Sequence, residues 1–340
     1  MTYYYASYPP ADLERNPFMV LLGNELRKKG WDSKTFTFKI VNLVKYRREV
    51  SILYFHWPES IWRSSSILIT LIKAFVFLIR LATAKLLGYR IVWSAHNSWP
   101  HEFLLKGVEQ IMRIFLIKNC DLVIGHSLNS AEELNEYFGV KPKKYQLALH
   151  GHYDNVYLPE GRLTRELLNI DSEKKIFLLL AKTRSRNEDD FFINEWMNWD
   201  SHKSILIISG TLSVGSKEKV KNLKNIFFIE GFRSRGEMAD LFVLANIIVL
   251  PYRKITTSGM FFMAVTFGKP ILAPDIPFFK LHMAKNGGVL YRLNQNDLRN
   301  EFNKACDVNF DIGAILRQKE IYSWTHSGSA IGKIFTGLLC

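Results

Sequence analysis

The chain has 340 residues, 48% apolar and 14% aromatic, enough to fill two ordinary cores and too much for a disordered protein. Its three cysteines, Cys120, Cys306 and Cys340, lie far apart with no CxxC pair, which argues against a disulfide scaffold or a cysteine zinc site. A net charge of +13 narrows the partners to nucleic acid, an anionic membrane or phosphorylated small molecules.

Met1 to Ala6 has neither a basic start nor a long apolar run, so it reads as a strand and not as a signal peptide. The protein is therefore expected in the cytosol. The turn from Tyr8 to Phe18 lacks G-x-G-x-x-G, so no Rossmann dinucleotide site is expected there. A helix is predicted over Phe18–Lys29. Strand Ser51–Phe55 then runs into His56-Trp57-Pro58-Glu59, and strand Arg90–Ala95 into His96-Asn97-Ser98-Trp99-Pro100-His101-Glu102. Open parallel sheets bind ligands at the carboxyl ends of their strands, and an imidazole or carboxylate there can take the proton of an attacking hydroxyl. Glu102 at a helix start also has an ordinary structural use.

Between Glu59 and Glu102 no acidic residue occurs, while Arg63, Lys73, Arg80, Lys85 and Arg90 fall inside the window. The helix predicted there, Ile67–Leu87, is strongly apolar. Basic and apolar residues on one helix suit an anionic membrane surface better than a nucleic-acid groove. Lys73 sits in the middle of the run, which disfavours a full membrane span.

Helices over Leu104–Lys118 and Ser130–Phe138 and strands over Leu122–Gly125 and Tyr145–Leu149 complete the first half. Apolar strands alternating with helices imply a parallel sheet covered on both faces. A hinge is expected near Gly151–Gly161, with His152 facing a ligand cleft. The second half repeats the pattern. Strands are predicted over Ile176–Leu180, Ser204–Ser209, Ile226–Ile229, Ile247–Leu250 and Pro270–Ala273. Helices fall over Asp189–Met197, Arg235–Leu244 and Gly259–Phe267. The predicted domains are 1–155 and 156–320, with 321–340 as a closing helix that could pack back on the first.

The loop Pro251-Tyr252-Arg253 leads to Ser258-Gly259, which opens a helix. Backbone N–H groups at such a start form an anion site, and glycine lets a phosphate approach; the plain alternative is that Ser258 only caps the helix. Ala181-Lys182-Thr183-Arg184-Ser185-Arg186-Asn187 follows the first strand of the second half with three cations. Glu188-Asp189-Asp190 reads as acid at a helix start and not as a metal site.

The sequence strand, Pro-Tyr, loop, Ser-Gly, helix, Gly268-Lys269-Pro270 resembles the GT-B glycosyltransferases, especially family 4 and its bacterial surface-polysaccharide members. The resemblance implies an α/β fold of two Rossmann-like domains facing a central cleft. It implies a metal-independent hexosyl transfer from a nucleoside-diphosphate sugar, used as co-substrate with no other cofactor, to a lipid-linked saccharide. The enzyme would work as a peripheral protein on the inner face of the cell membrane, with no nucleic-acid partner. By that resemblance Arg184 occupies the slot of a diphosphate-gripping arginine, while Asn187 stands where a lysine is expected; Lys182 or Arg186 could supply that charge. Tyr252, Arg253, Ser258 and Gly259 complete the nucleotide-sugar set. His96 would line the donor sugar, Asp12, Glu59 and Glu102 are base candidates, and His56, His101 and His152 belong to the acceptor side. Thr256 and Met263 stand where many members carry two glutamates, so donor recognition must depart from that pattern. The rival readings are a GT-B-shaped nucleotide-sugar epimerase and a non-catalytic sugar-nucleotide or membrane-binding subunit.

Overall fold

The computed structural model describes residues 2–10, 16–97, 105–181, 186–199, 202–221, 223–293 and 297–339, with Arg186 and Asn187 described by their backbone alone. The chain divides into two compact units, residues 1–151 with 322–340, and residues 152–321. The division comes slightly before the expected boundary, for a visible reason. A side chain at Gly151 would run into the Trp324 ring, its ideal Cβ lying 2.4 Å from it, so Gly151 belongs to the first unit. Two residues on, the Tyr153 N–H donates to Thr266 Oγ1 at 2.9 Å and belongs to the second.

The first unit holds strands β1 (Tyr3–Tyr8), β2 (Trp31–Ser33), β3 (Val50–Phe55), β4 (Arg90–Ala95), β5 (Leu122–Gly125) and β6 (Tyr145–Leu147). They pair in parallel in the order β2-β1-β3-β4-β5-β6. Its helices are α1 (Pro17–Lys28), α2 (Ile40–Tyr46), α3 (Glu59–Trp62), α4 (Ile67–Leu86), α5 (Lys106–Asn119) and α6 (Ser130–Phe138). The second unit holds β7 (Lys175–Ala181), β8 (Ser204–Gly210), β9 (Ile226–Glu230), β10 (Ile247–Val249), β11 (Ile271–Pro274) and β12 (Gly288–Tyr291), ordered β12-β11-β10-β7-β8-β9. With them run α7 (Arg186–Met197), α8 (Val214–Val220), α9 (Arg235–Leu244), α10 (Gly259–Thr266), α11 (Pro277–His282), α12 (Arg299–Asp307) and α13 (Ile312–Ile321). The last helix, α14 (Trp324–Gly337), returns to the first unit.

Local chemistry explains the element ends. Asn16 caps α1 by accepting the Phe18 N–H at 3.0 Å, with Pro17 just inside, where its missing N–H costs nothing. Ser234 and Glu237 form a capping box on α9. The interior strands β5, β7 and β8 are buried almost throughout, as strands covered on both faces must be. The entry to the second unit is held by one buried carboxylate. Asp240 accepts the backbone N–H groups of Glu160, Gly161, Arg162 and Leu163 at 2.7–3.2 Å, which leaves none of those donors orphaned.

Helix α4 buries Thr70, Ala74, Phe77, Leu81 and Ala84 in helical spacing and leaves the rest of its apolar surface outside. Leu68 is 66% and Phe75 65% exposed, and neighbouring α2 adds Val41 at 77%. Despite Lys73, α4 is long and apolar enough to cross a membrane by length and mean hydropathy (2.1), with 28% of its apolar stretch buried in the protein. The expectation that Lys73 breaks the run is corrected on that point: one cation does not outweigh the isoleucines, leucines and phenylalanines around it.

Two glycines bring α14 onto α1. A Cβ on Gly328 would sit 2.3 Å from the Glu25 Cβ, and one on Gly332 would sit 3.1 Å from the Lys29 Cβ. Gly328→Val should therefore lower stability by about 1–3 kcal/mol through overpacking. Gly337→Ala, with nothing within 4 Å, should not lower it. Urea unfolding of both variants checks this; equal midpoints would show that the helices can part at no cost.

Candidate functional site

The first sheet changes winding direction between β1 and β3, and open parallel sheets bind ligands at the carboxyl ends of their strands near such a reversal. At that end β3, β4 and β5 are each followed directly by a histidine, His56, His96 and His126, and β6 is followed by His150 after two residues. All four are buried, at 1–5% exposure. The pairing of Ala95 with Gly125 sets His96 level with His126, while the pairings of Phe55 with Trp93 and of Gly125 with Leu147 offset His56 and His150 by two residues. His56 Nδ1 lies 3.0 Å from His96 Nε2. His96 stacks on His126 and on Trp57, each with centroids 4.4 Å apart. Phe18, placed by the first turn of α1, presents its edge to His96 at 4.6 Å and to His126 at 5.2 Å, and also packs against His56, His150 and Trp324.

Burial decides the charge of this cluster. Desolvation holds His56 and His96 well below the usual imidazole range, with neighbouring histidines adding to the effect. It pushes His126 down to about 4 and His150 down to about 3, against the opposing pull of their bonds to backbone carbonyls. Neutral rings donate through one nitrogen: His126 Nδ1–H to Ala148 O and His150 Nδ1–H to Gly151 O, both at 2.7 Å. The cluster at neutral pH is a stack of uncharged donors and acceptors.

Beside it lies a buried ion network. Arg113, 2% exposed, pairs with Glu59 at 3.5 Å and donates to Asn97 O at 3.1 Å, while Arg63 pairs with Glu109 at 2.5 Å. Arg113 thus ties the segment after His56 to the segment after His96. A buried guanidinium needs such counter-charge.

The predicted residues therefore divide. His96 stands at the centre of the cluster. His56, expected on the acceptor side, is 2% exposed and hydrogen-bonded to His96. Glu59 is the counter-ion of Arg113, which engages the carboxylate expected to be a base. His152 is half-buried in the second unit, where its Nδ1 accepts the Asp154 N–H at 3.2 Å. Asp12, His101, Glu102, Lys182 and Arg184 lie outside the described residues, as does the side chain of Arg186. His126, Phe18 and Arg113 were not anticipated. For His126 the signal was present: Gly125-His126 repeats the strand-then-histidine pattern of Phe55-His56 and Ala95-His96.

In the second sheet the reversal falls between β7 and β10. Segment 182–185 follows β7, and Leu250 to Ser258 follows β10, so the two stretches singled out for a diphosphate leave adjacent strands at the switch point. Ser258 is buried and its Oγ accepts the Phe261 N–H at 3.2 Å, so it does cap α10. Gly259 opens that helix; a Cβ there would sit 3.4 Å from Tyr153 Oη. Tyr252 is half-buried. Arg253 is exposed and lays its guanidinium over Phe191 of α7, 5.8 Å from the ring centre, bridging the two sides of the switch point. Met263 is fully buried in α10 and Thr256 is 6% exposed. A carboxylate at Met263 would be fully buried, which is costly unless it is paired.

Residues 16–151 match the family model of Glycosyltransferase Family 4. A GDP-mannose:glycolipid 4-beta-D-mannosyltransferase of Xanthomonas campestris pv. campestris is 24% identical over 278 residues, 76% of this chain and 70% of that protein. Sucrose-phosphate synthase from Thermosynechococcus elongatus superposes with a TM-score of 0.73 at 13% identity, covering 100% of this chain and 99% of that one. Anabaena HepE, solved with UDP and glucose, gives 0.71 at 12% identity, covering 99% and 100%. The chain has the GT-B fold and resembles the family-4 glycosyltransferases.

The neutral histidines carry a pH dependence of definite sign. An unfolded histidine takes its proton near pH 6.5, whereas His126 and His150 take theirs only near 4 and 3. Their contribution is complete above pH 6.5 and drains away as pH falls below it, on the order of 1 kcal/mol per histidine per pH unit. Urea midpoints should fall steeply from pH 7 to pH 5, and less so in His126→Phe. A flat profile over that range would contradict the neutral cluster.

Proposed function

We propose that the protein is a hexosyltransferase that moves a sugar from a nucleoside-diphosphate donor to a hydroxyl of a lipid-linked saccharide, in surface-polysaccharide assembly. The observation that carries the reading is the second sheet. Its strand order is that of the Rossmann fold, and β7 and β10, which precede the cation-rich segment 182–186 and the loop to Ser258-Gly259 in sequence, meet at its switch point. A leaving diphosphate gains charge as the glycosidic bond breaks, so Arg184, with Lys182 or Arg186, stabilises the transition state more than the ground state. Gly259 at the start of α10 leaves room for phosphate oxygens at its N–H groups. The first unit presents the acceptor. Among the base candidates Asp12 and Glu102 remain, because Glu59 is engaged by Arg113. The reaction is proposed to run without a metal and without nucleic acid as partner. The mannosyltransferase relative supports a glycolipid acceptor and GDP-mannose as the donor to test first.

The membrane side of the proposal rests on α4. Its outward Leu68, Leu71, Ile72 and Phe75, with Val41 and Val44 on α2, form apolar surface that a water-facing protein has no use for. Lys73, Arg80 and Lys85 lie on the same helix and suit anionic head groups, although Lys85 also pairs with Asp121. The protein is placed as a peripheral enzyme on the cytoplasmic face, where a lipid-linked acceptor diffuses in the plane.

GDP or GDP-mannose should raise the thermal midpoint. Gly259→Val should abolish that shift in a folded protein, and Arg184→Ala should lower kcat by about 10²-fold. A midpoint unmoved by GDP, UDP and their sugars would sink the donor assignment.

For the membrane, the protein should sediment with anionic liposomes at low salt and be released in part by high salt. Reversing Lys73, Arg80 and Lys85 together should weaken binding and slow transfer to lipid acceptors more than to soluble analogues. Wild-type protein that ignores anionic liposomes at low salt would remove the membrane from the proposal.

A further inference from the structure

We propose that His56 is a positioning residue that fixes the tautomer of His96, making His96 a hydrogen-bond donor through Nδ1 to an oxygen of the bound substrate. The argument starts from proton counting. A neutral imidazole carries one N–H, and which nitrogen holds it is set by the partner of the other. His56 Nδ1 and His96 Nε2 share one hydrogen bond at 3.0 Å, with ring planes 30° apart, close enough to coplanar for an in-plane N–H to meet an in-plane lone pair.

Two arrangements satisfy that bond. In one, His96 Nε2–H donates to His56 Nδ1, and the His56 proton must then sit on Nε2. His56 Nε2 is buried and has no partner among the described residues, so an N–H would be orphaned there. In the other, His56 Nδ1–H donates to His96 Nε2, and His56 Nε2 keeps only a bare lone pair. Buried N–H groups without partners are rarer in proteins than under-used acceptors, which favours the second arrangement. His126 shows the same solution in the same cluster: its Nδ1–H donates to Ala148 O, and its buried Nε2 is left as a lone pair.

The second arrangement leaves the His96 proton on Nδ1, which has no partner among the described residues. The ring cannot turn away, because Trp57 and His126 stack on it and the Phe18 edge abuts it. His96 therefore offers a fixed neutral N–H to a hydroxyl or phosphate oxygen, and it does not offer a lone pair to take the proton of an attacking hydroxyl. The role toward substrate rests on the glycosyl-transfer reading; the tautomer does not.

The test is ¹⁵N–¹H NMR of the full chain labelled at the histidine rings, with the His96 signals assigned from His96→Gln. Ring ¹⁵N shifts separate protonated from bare nitrogens, and at pH 7.5 without ligand His96 should show Nδ1–H. His56→Asn, whose amide can donate in place of the ring, should keep that tautomer. His56→Asp, which can only accept when ionised, should move the proton to Nε2 and lower kcat at least about ten-fold below the Asn variant, with KM less affected. Wild-type His96 protonated at Nε2 overturns the proposal whether or not any variant folds. So does one tautomer shared by folded His56→Asn and His56→Asp. Nδ1–H on His96 in the wild type and Nε2–H in His56→Asp, with no activity in any form, would leave this assignment standing and count against the glycosyl-transfer reading instead.

Discussion

The contact on which the first unit depends is the closure of α14 against α1 and Gly151. Gly328 and Gly332 let the helix backbones approach, and Trp324 then fills the space left by the missing side chain at Gly151. Trp324 also meets Phe18, and Phe18 touches all four strand-end histidines. A residue more than three hundred positions along the chain thus sets the wall of a cluster formed by the first hundred and fifty. The site geometry cannot be complete before the C-terminal segment has docked.

That cluster and its neighbour show two ways of burying polarity. The histidines are buried by staying neutral, since desolvation lowers their proton affinity and stacking supplies apolar contact. Arg113 cannot be neutralised and is buried with counter-charge from Glu59 and Glu109 and a carbonyl from Asn97. The two solutions sit side by side because they do different jobs. The ion network joins the segments after β3 and β4, and the uncharged stack fills the interior beside them.

The second unit follows another rule. Its strand order puts the first strand in the middle, so the loops after β7 and β10 leave neighbouring strands on opposite windings. Strands β7 and β10, about seventy residues apart in sequence, become neighbours through that crossover. Arg253 over Phe191 is the side-chain expression of it. Under the proposed reading, a fully buried Met263 in place of a carboxylate shifts donor recognition onto the cations and backbone of these loops.

The sequence by itself determined the elements with strong apolar character. The interior strands and the capped helices α1, α9 and α10 lie where apolar periodicity and Ser258-Gly259 put them, because those signals are local. Strands β2 and β12 were not legible: both are short edge strands, and an edge needs little apolar sequence of its own. At the site, local patterns pointed to His96 and to the Ser258 turn. They did not reveal that His56 bonds to His96 or that Glu59 pairs with Arg113, partners forty and fifty-four positions away. Only the tertiary structure decided that four histidines share one uncharged interior and that Glu59 serves a buried arginine. Tautomers and ion pairs are properties of what a side chain meets across strands, and strand order is a long-range choice that no local run of residues encodes.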